Sequence, residues 1–271
     1  MIKHLKDDLG LKKTDLVFLH SGLIGLGKLE GDISIITDAF AEVLSEGILV
    51  IPAFTYSWCN GQAFDPLKTE CPNDVGGYSQ QAWKDKRFMR SSDPNFSVAI
   101  LQNAYNREDV QAILDIGSSC FGSRSVFDHM YQLSKERNGY VILLGGAHSD
   151  CVFRTTFIHY VEEAVGVPNR YLKRFYDPLD PSRYVQQLVR FVSAEEYQTV
   201  TGKDHAPYTF PVVSDYSLLG NDLLKENMVA QARFGYSTTR MVAIRPLCDL
   251  IEKKLRQSPD YFVKTNMAKV N

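Results

Sequence analysis

The sequence has no apolar run near the ~20 residues of a membrane helix; its longest, such as Gly47–Phe54 and Tyr140–Leu144, stop far short. It also lacks an excess of either charge. Thirty basic residues against 32 acidic ones leave a formal net charge of -2, which argues against the chain-wide basic footprint of a nucleic-acid binder. Cysteine is sparse, with five residues (Cys59, Cys71, Cys120, Cys151 and Cys248) that are odd in number and form no C-x-x-C pair. That pattern supports neither a zinc site nor a redox pair, and no metal is expected; it suits free thiols in a reducing compartment. H-E-x-x-H is missing too, so a zinc protease is not indicated. Met1–Leu9 is charged and amphipathic, with no signal-peptide core or cleavage site, which predicts a cytoplasmic protein. What is present is a chain of 271 residues, 44% hydrophobic, long enough to bury a core without disulfides.

The apolar runs are short and regularly interrupted. Asp15–His20, Ile48–Ile51, Ser97–Leu101 and Tyr140–Leu144 read as buried strands, bounded by glycine, proline or asparagine. Ile33–Leu44 carries apolar residues at 33, 36, 40, 43 and 44, a helical period. Strands interleaved with helical patterns predict an α/β fold, a single domain over 1–271 with a central sheet flanked by helices. Residues 58–95 lack periodicity and are rich in turn formers, the composition of a functional loop region. A polar, proline-bearing stretch at about 177–211 reads as an excursion or subdomain. Residues 212–255 return to apolar periodicity, with Leu247, Leu250, Ile251 and Leu255 on one helical face.

Two clusters carry chemistry. Gly22-Leu23-Ile24-Gly25-Leu26-Gly27-Lys28-Leu29 follows the first strand and nearly matches a phosphate-binding loop. Leu29 stands where that loop needs a hydroxyl for Mg²⁺, and the glycine order is not that of a dinucleotide site, so neither nucleotide hydrolysis nor a Rossmann cofactor is supported. Such a turn either holds a phosphate or thioester group through backbone N–H donors or only shapes a tight bend. In Thr155–Ala164, read as a helix, His159 shares a face with Glu162 and Glu163. A carboxylate there fixes the imidazole tautomer and leaves the other nitrogen basic, the arrangement of a general base.

In order, these pieces resemble the aminoglycoside 3-N-acetyltransferase family. The resemblance runs through Leu19–Leu23 with Gly27, Glu30-Gly31, Leu49–Tyr56, Phe64-Asp65-Pro66, Arg90-Ser91 with Pro94 and Ser97-Val98. It continues through Phe121-Gly122 with Ser125, Tyr140–Gly145, Thr156-x-x-His159-x-x-Glu162, Val167-Pro168 with Arg170, and Phe234-Gly235 to Leu250. It implies a mixed α/β fold distinct from the GCN5 type, and transfer of an acetyl group from acetyl-CoA to an amine of an amino-sugar. It further implies His159 as base, Glu162 as its partner and Asp65 as a third acid. His20, Ser21, Gly22, Leu23, Arg90 and Ser97 are expected at the cofactor, and Tyr56 and Arg170 at the acceptor. Acetyl-CoA and the amino-sugar are the partners expected, with a homo-oligomer left open. A non-catalytic binding protein or a thioester hydrolase is the alternative.

The chain departs from that pattern where antibiotic-modifying members carry His-Pro-x-His-Ser-Val and it has Asp93-Pro94-Asn95-Phe96-Ser97-Val98. A longer loop, Ala147–Arg154, precedes the His159 helix, and 164–176 carries Arg170, Lys173 and Arg174 with no acid. A polycation favours an acidic cleft. An amino-sugar of surface polysaccharide biosynthesis, nucleotide-linked so that its phosphates meet the basic patch, is therefore an expected acceptor beside the aminoglycosides.

Overall fold

The computed structural model describes residues 1–146 and 153–264. Its frame is a seven-stranded sheet in the order β3-β4-β2-β1-β5-β9-β8. The strands are β1 (Leu16–Ser21), β2 (Ile48–Pro52), β3 (Phe88–Arg90), β4 (Val98–Leu101), β5 (Gly139–Leu144), β8 (Ala230–Phe234) and β9 (Ser237–Ala243). The central trio β2-β1-β5 is parallel, with Leu16 in register with both Ile48 and Gly139; every outer pairing is antiparallel. A separate hairpin pairs β6 (Arg170–Tyr176) with β7 (Tyr184–Arg190).

Alternation along the strands builds two cores. Leu16, Phe18, Val50, Ile100 and Val141 face one layer, packed with α3 (Arg107–Leu114), α4 (Val126–Leu133), α5 (Phe157–Val165), α7 (Ser217–Lys225) and α8 (Ile244–Gln257). Val17, Leu19, Leu49, Ile51 and Ile142 face the other, under α1 (Ser34–Val43), α2 (Gly77–Ala82) and the N-terminal turn bearing Leu5 and Leu9. Central strands covered on both faces must be apolar throughout, which is why they stand out in the sequence as continuous runs.

The stretch at 177–211 contains β7 and α6 (Ala194–Thr201), and its Phe191 and Tyr197 form a small core with Val212 just beyond it. β7 joins the main core through Val185 and Leu188. Gln186 locks the hairpin down, donating its N–H to the Ser118 carbonyl at 2.6 Å and accepting from the Cys120 N–H at 2.8 Å. Residues 212–255 prove to contain two strands, β9 and the edge strand β8, between two helices.

The carboxyl ends of β1, β2 and β5 lie at one edge of the sheet, where open parallel sheets place ligands. Glycines allow the loops there to interlock. A Cβ on Gly25 would stand 2.5 Å from the Gly145 carbonyl oxygen, and Gly145 itself has φ +64. No helix among the described residues is long and apolar enough to cross a membrane.

Candidate active site

The site grows from the first turn of α5. Phe157, Ile158 and Val161 bury one face of this helix, and Glu162 falls on that same face, 1% exposed. Gly166, left-handed at φ 74, ends the helix and donates its N–H to the Glu162 and Glu163 carbonyls. A carboxylate so deeply buried needs partners. Glu162 Oε2 has two, His159 Nδ1 at 2.7 Å and Arg170 Nε at 3.0 Å. Burial raises the Glu162 pKa, but these partners outweigh it and hold the carboxyl below its ordinary value. The ionised carboxylate only accepts, so Nδ1 carries the imidazole proton and Nε2 the lone pair. Arg170, at the start of β6, also donates to Ser214 Oγ at 3.1 Å and thereby ties the hairpin to the His–Glu pair.

Three cavities meet around this pair. One of about 620 Å³ is lined by His159, Tyr56, Cys59, Phe96, Arg170 and Arg190, among others. One of about 310 Å³ holds His159 with His20, Tyr56, Asp74, Arg154 and Tyr216. The third, about 550 Å³, is lined by His20, Ser21, Gly22, Asp74, Arg154 and Arg240. Shared lining residues join them into one cleft, with His159 at the middle and the glycine turn at one end.

Asp93–Val98 shapes the large cavity from behind. The Asp93 carboxylate is buried and accepts the N–H groups of Asn95 and Phe96 at 2.8 Å. Burial pushes its pKa up against those bonds. Asn95 Oδ1 accepts from Trp58 N–H at 3.1 Å and Cys59 N–H at 3.3 Å, while its amide donates to Gln187 at 3.0 Å. The two residues in place of the family's histidines thus divide the work: Asp93 is a buried scaffold, and Phe96 lines the cavity, packed against Tyr56 and Phe121. Tyr56 holds a left-handed backbone at φ 55, a conformation uncommon for a bulky side chain.

The glycine-turn end suits a phosphate-bearing thioester. Ser21 Oγ is buried with no hydrogen-bond partner among the described residues, and Arg154 and Arg240 line the same cavity. His20 Nε2 lies 3.3 Å from Thr155 Oγ1, and burial lowers this imidazole to about 4, so it is neutral at physiological pH. The Gly22 N–H is already spent on the Leu144 carbonyl at 2.8 Å. It is therefore not free to donate to a substrate oxygen. Leu23 turns its side chain into the α1/α2 core, within 3.1 Å of where a Gly77 Cβ would lie.

The structure gathers His159, Glu162, Arg170, Tyr56, His20, Ser21 and Gly22 around the cleft but not the remaining expected residues. Asp65 instead accepts the Leu67 N–H at 2.8 Å and pairs with Lys68 at 3.2 Å, outside the lining of these cavities. Arg90 is a clamp. It donates to the Thr69 carbonyl at 2.6 Å, the Ala53 carbonyl at 2.5 Å and Ser97 Oγ at 3.2 Å, and it stacks 4.4 Å over Trp83. Ser97 is fully buried and donates to the same Ala53 carbonyl. Glu163 turns from His159 to accept from Ser119 Oγ at 2.9 Å. Of the longer loop before α5, residues 147–152, including Cys151, lie outside the described residues. Asp74, Arg154 and Arg190 carried no motif in the sequence, and only folding brings them to the cleft.

With this geometry in place, the likenesses of the chain are informative. A family model described as aminoglycoside 3-N-acetyltransferase matches residues 18–256. A search of curated proteins gives no match. Among solved structures, aminoglycoside acetyltransferase AAC(3)-IVa superposes with a TM-score of 0.72 at 19% identity, over 97% of this chain and 90% of that one. AAC(3)-IIb gives 0.69 at 15% identity, over 95% and 97%. The YokD protein from Bacillus subtilis gives 0.63 at 19%, over 93% and 97%. The open α/β sheet with a His–Glu pair at its carboxyl edge is therefore that of an N-acetyltransferase. The chain belongs to the aminoglycoside 3-N-acetyltransferase family.

Proposed function

We propose that this protein transfers an acetyl group from acetyl-CoA to the amine of an amino-sugar, directly, with His159 as general base. The observation that carries the reading is the His159 ring, its Nδ1 held by a buried carboxylate and its other edge lining the cleft. Acetyl-CoA supplies the thioester when bound; Ser21, Arg154 and Arg240 suit its arm and phosphates. An alkyl ammonium must lose a proton before its nitrogen can attack. His159 Nε2 takes that proton, and Glu162 stabilises the resulting imidazolium. As the C–N bond forms, the C–S bond breaks and the thiolate takes up a proton, giving an amide and free CoA. The Ser21 hydroxyl, without a hydrogen-bond partner among the described residues, is a side-chain candidate to donate to the negative charge that develops on the thioester oxygen. Cys59 lines the large cavity, but burial pushes its thiol up to about 11. A thiol so firmly protonated is a poor nucleophile, which favours direct transfer over an acyl-enzyme.

AAC(3)-IVa has been crystallised with gentamicin and with apramycin. In this chain the described lining of the large cavity carries Arg154 and Arg190, besides the Arg170 that Glu162 neutralises, and no carboxylate. That charge pattern disfavours a polycation and favours an acceptor bearing phosphate, such as a nucleotide-linked amino-sugar of polysaccharide biosynthesis. The free thiols and the acetyl-CoA requirement fit the cytoplasm. The test is thiol release from acetyl-CoA with kanamycin, gentamicin, glucosamine 6-phosphate and UDP-glucosamine. Release with the phosphate-bearing amines supports the reading, release with aminoglycosides alone overturns the acceptor class, and release without any amine makes the protein a hydrolase.

A further inference from the structure

Cationic side chains line the cleft, Arg190 in the large cavity and Arg154 in all three, while the Arg170 charge is met by Glu162. An ammonium group entering such a cleft is repelled unless a negative charge meets it. Among the described lining residues of the three cavities, one carboxylate is available, that of Asp74. Glu162 lies behind His159 and is committed to it and to Arg170. Asp74 stands on the short turn Asn73–Val75 and lines both the cavity that holds His159 and the cavity that holds the glycine turn. It is thus at the junction where amine and thioester must meet. Unlike Asp65 and Asp93, whose carboxylates are taken up by neighbouring N–H groups, the Asp74 side chain makes no hydrogen bond or ion pair with the described residues.

We infer that Asp74 receives the acceptor's ammonium group beside His159 and so sets the preference of this enzyme for an amine over a hydroxyl. The inference rests on the transferase reading and deepens it. It assigns the two charges of a dipolar acceptor to two places: the ammonium to Asp74, and an anionic group to Arg190 and Arg154 in the large cavity. Tyr56 supports the assignment. It lines the same cavity, and burial, with the Asp74 charge adding to it, pushes its phenol up to about 12, so the ring presents a neutral hydroxyl beside the carboxylate. An ammonium there loses its proton to His159 as transfer begins, and Asp74 thereafter has no cation to hold, which favours departure of the neutral amide.

The experiment measures KM for both substrates and kcat in wild type, Asp74→Asn and Asp74→Glu, with whichever amine of the panel above turns over fastest. The expected result for Asp74→Asn is a rise of about 10–100-fold in KM for the amine, the scale of a lost charged hydrogen bond. KM for acetyl-CoA should hold or fall, and kcat should stay within about threefold, because the base is untouched. Asp74→Glu should recover most of the amine affinity. A competitor with a hydroxyl in place of the amine should inhibit wild type and Asp74→Asn alike. An amine KM within twofold of wild type overturns the inference. So does a rise in acetyl-CoA KM instead, which makes Asp74 a cofactor contact, or parallel weakening of the hydroxyl competitor, which makes the effect one of shape. If wild type releases no thiol with any amine, it is the transferase reading that fails.

Discussion

The Glu162 carboxylate lies 2.7 Å from His159 Nδ1, on a residue 1% exposed, while the histidine ring lines the cleft. One member of the pair is sealed in the core and the other opens on solvent. The division lets the carboxylate set the tautomer without itself meeting substrate. Neutralising it by Glu162→Gln should lower kcat by about 10²-fold. It should also cost roughly 3 kcal/mol of stability, because Arg170 is left buried without its counter-charge. Glu163→Gln is the control: Ser119 can still donate to the amide oxygen, and kcat should stay within about threefold. Steady-state kinetics and urea melts on both variants check the contrast; equal losses would shift the pairing by one residue.

Arg90 and Ser97 test scaffold against cofactor contact. Arg90→Met removes donors to the Ala53 and Thr69 carbonyls and leaves these acceptors in a half-buried setting. The expected outcome is a loss of roughly 2–4 kcal/mol in chemical denaturation, with KM for acetyl-CoA unchanged. A selective rise in that KM with full stability would return Arg90 to the cofactor site.

His20 predicts an acid-sensitive fold. Its folded value of about 4 lies below the ordinary 6.5, so the native state favours the neutral ring. The stability this contributes is fully present above pH 6.5 and is lost as pH falls toward 4. His20→Gln should flatten the fall of the urea midpoint between those values. Parallel pH profiles for wild type and variant would show that the ring is not buried in the neutral form.

Gly25→Ala places a methyl group 2.5 Å from the Gly145 carbonyl oxygen and 2.8 Å from Ser237 Cβ. The Gly145 backbone cannot yield without moving the turn that carries Ser21 and Gly22. A fall in melting temperature of several degrees is expected, together with weaker CoA binding in a thermal-shift titration. Gly10→Ala, where φ is +71 but nothing crowds the new atom, should cost only about 1 kcal/mol and leave binding intact.

The central strands were legible because both their faces are buried. Asp15–His20, Ile48–Ile51, Ser97–Leu101 and Tyr140–Leu144 agree with β1, β2, β4 and β5 to within a residue at most ends. β8 did not stand out within the apolar periodicity of 212–255 because it is a mostly exposed edge strand, with Ala230, Gln231 and Arg233 toward solvent. β6 and β7 mix charge with aromatics for a similar reason, since β6 is mostly exposed or half-buried and β7 buries only Val185 and Leu188. In the site, His159 and Glu162 were readable since helical spacing alone brings them together. Asp65 was placed by its motif, and the local turn that holds it to Leu67 and Lys68 was not visible in that motif. Asp74, Arg154 and Arg190 come from three distant segments, and no local pattern announces a residue whose role depends on where those segments converge.

The central claim is that His159 moves the proton. Its most direct test is kcat of His159→Ala against wild type, on the amine that wild type turns over fastest, with CoA binding measured alongside to show an intact cleft. The account predicts a loss of about 10²–10⁴-fold in kcat with CoA binding preserved. A rate within threefold of wild type, on a variant that still binds CoA, would contradict it.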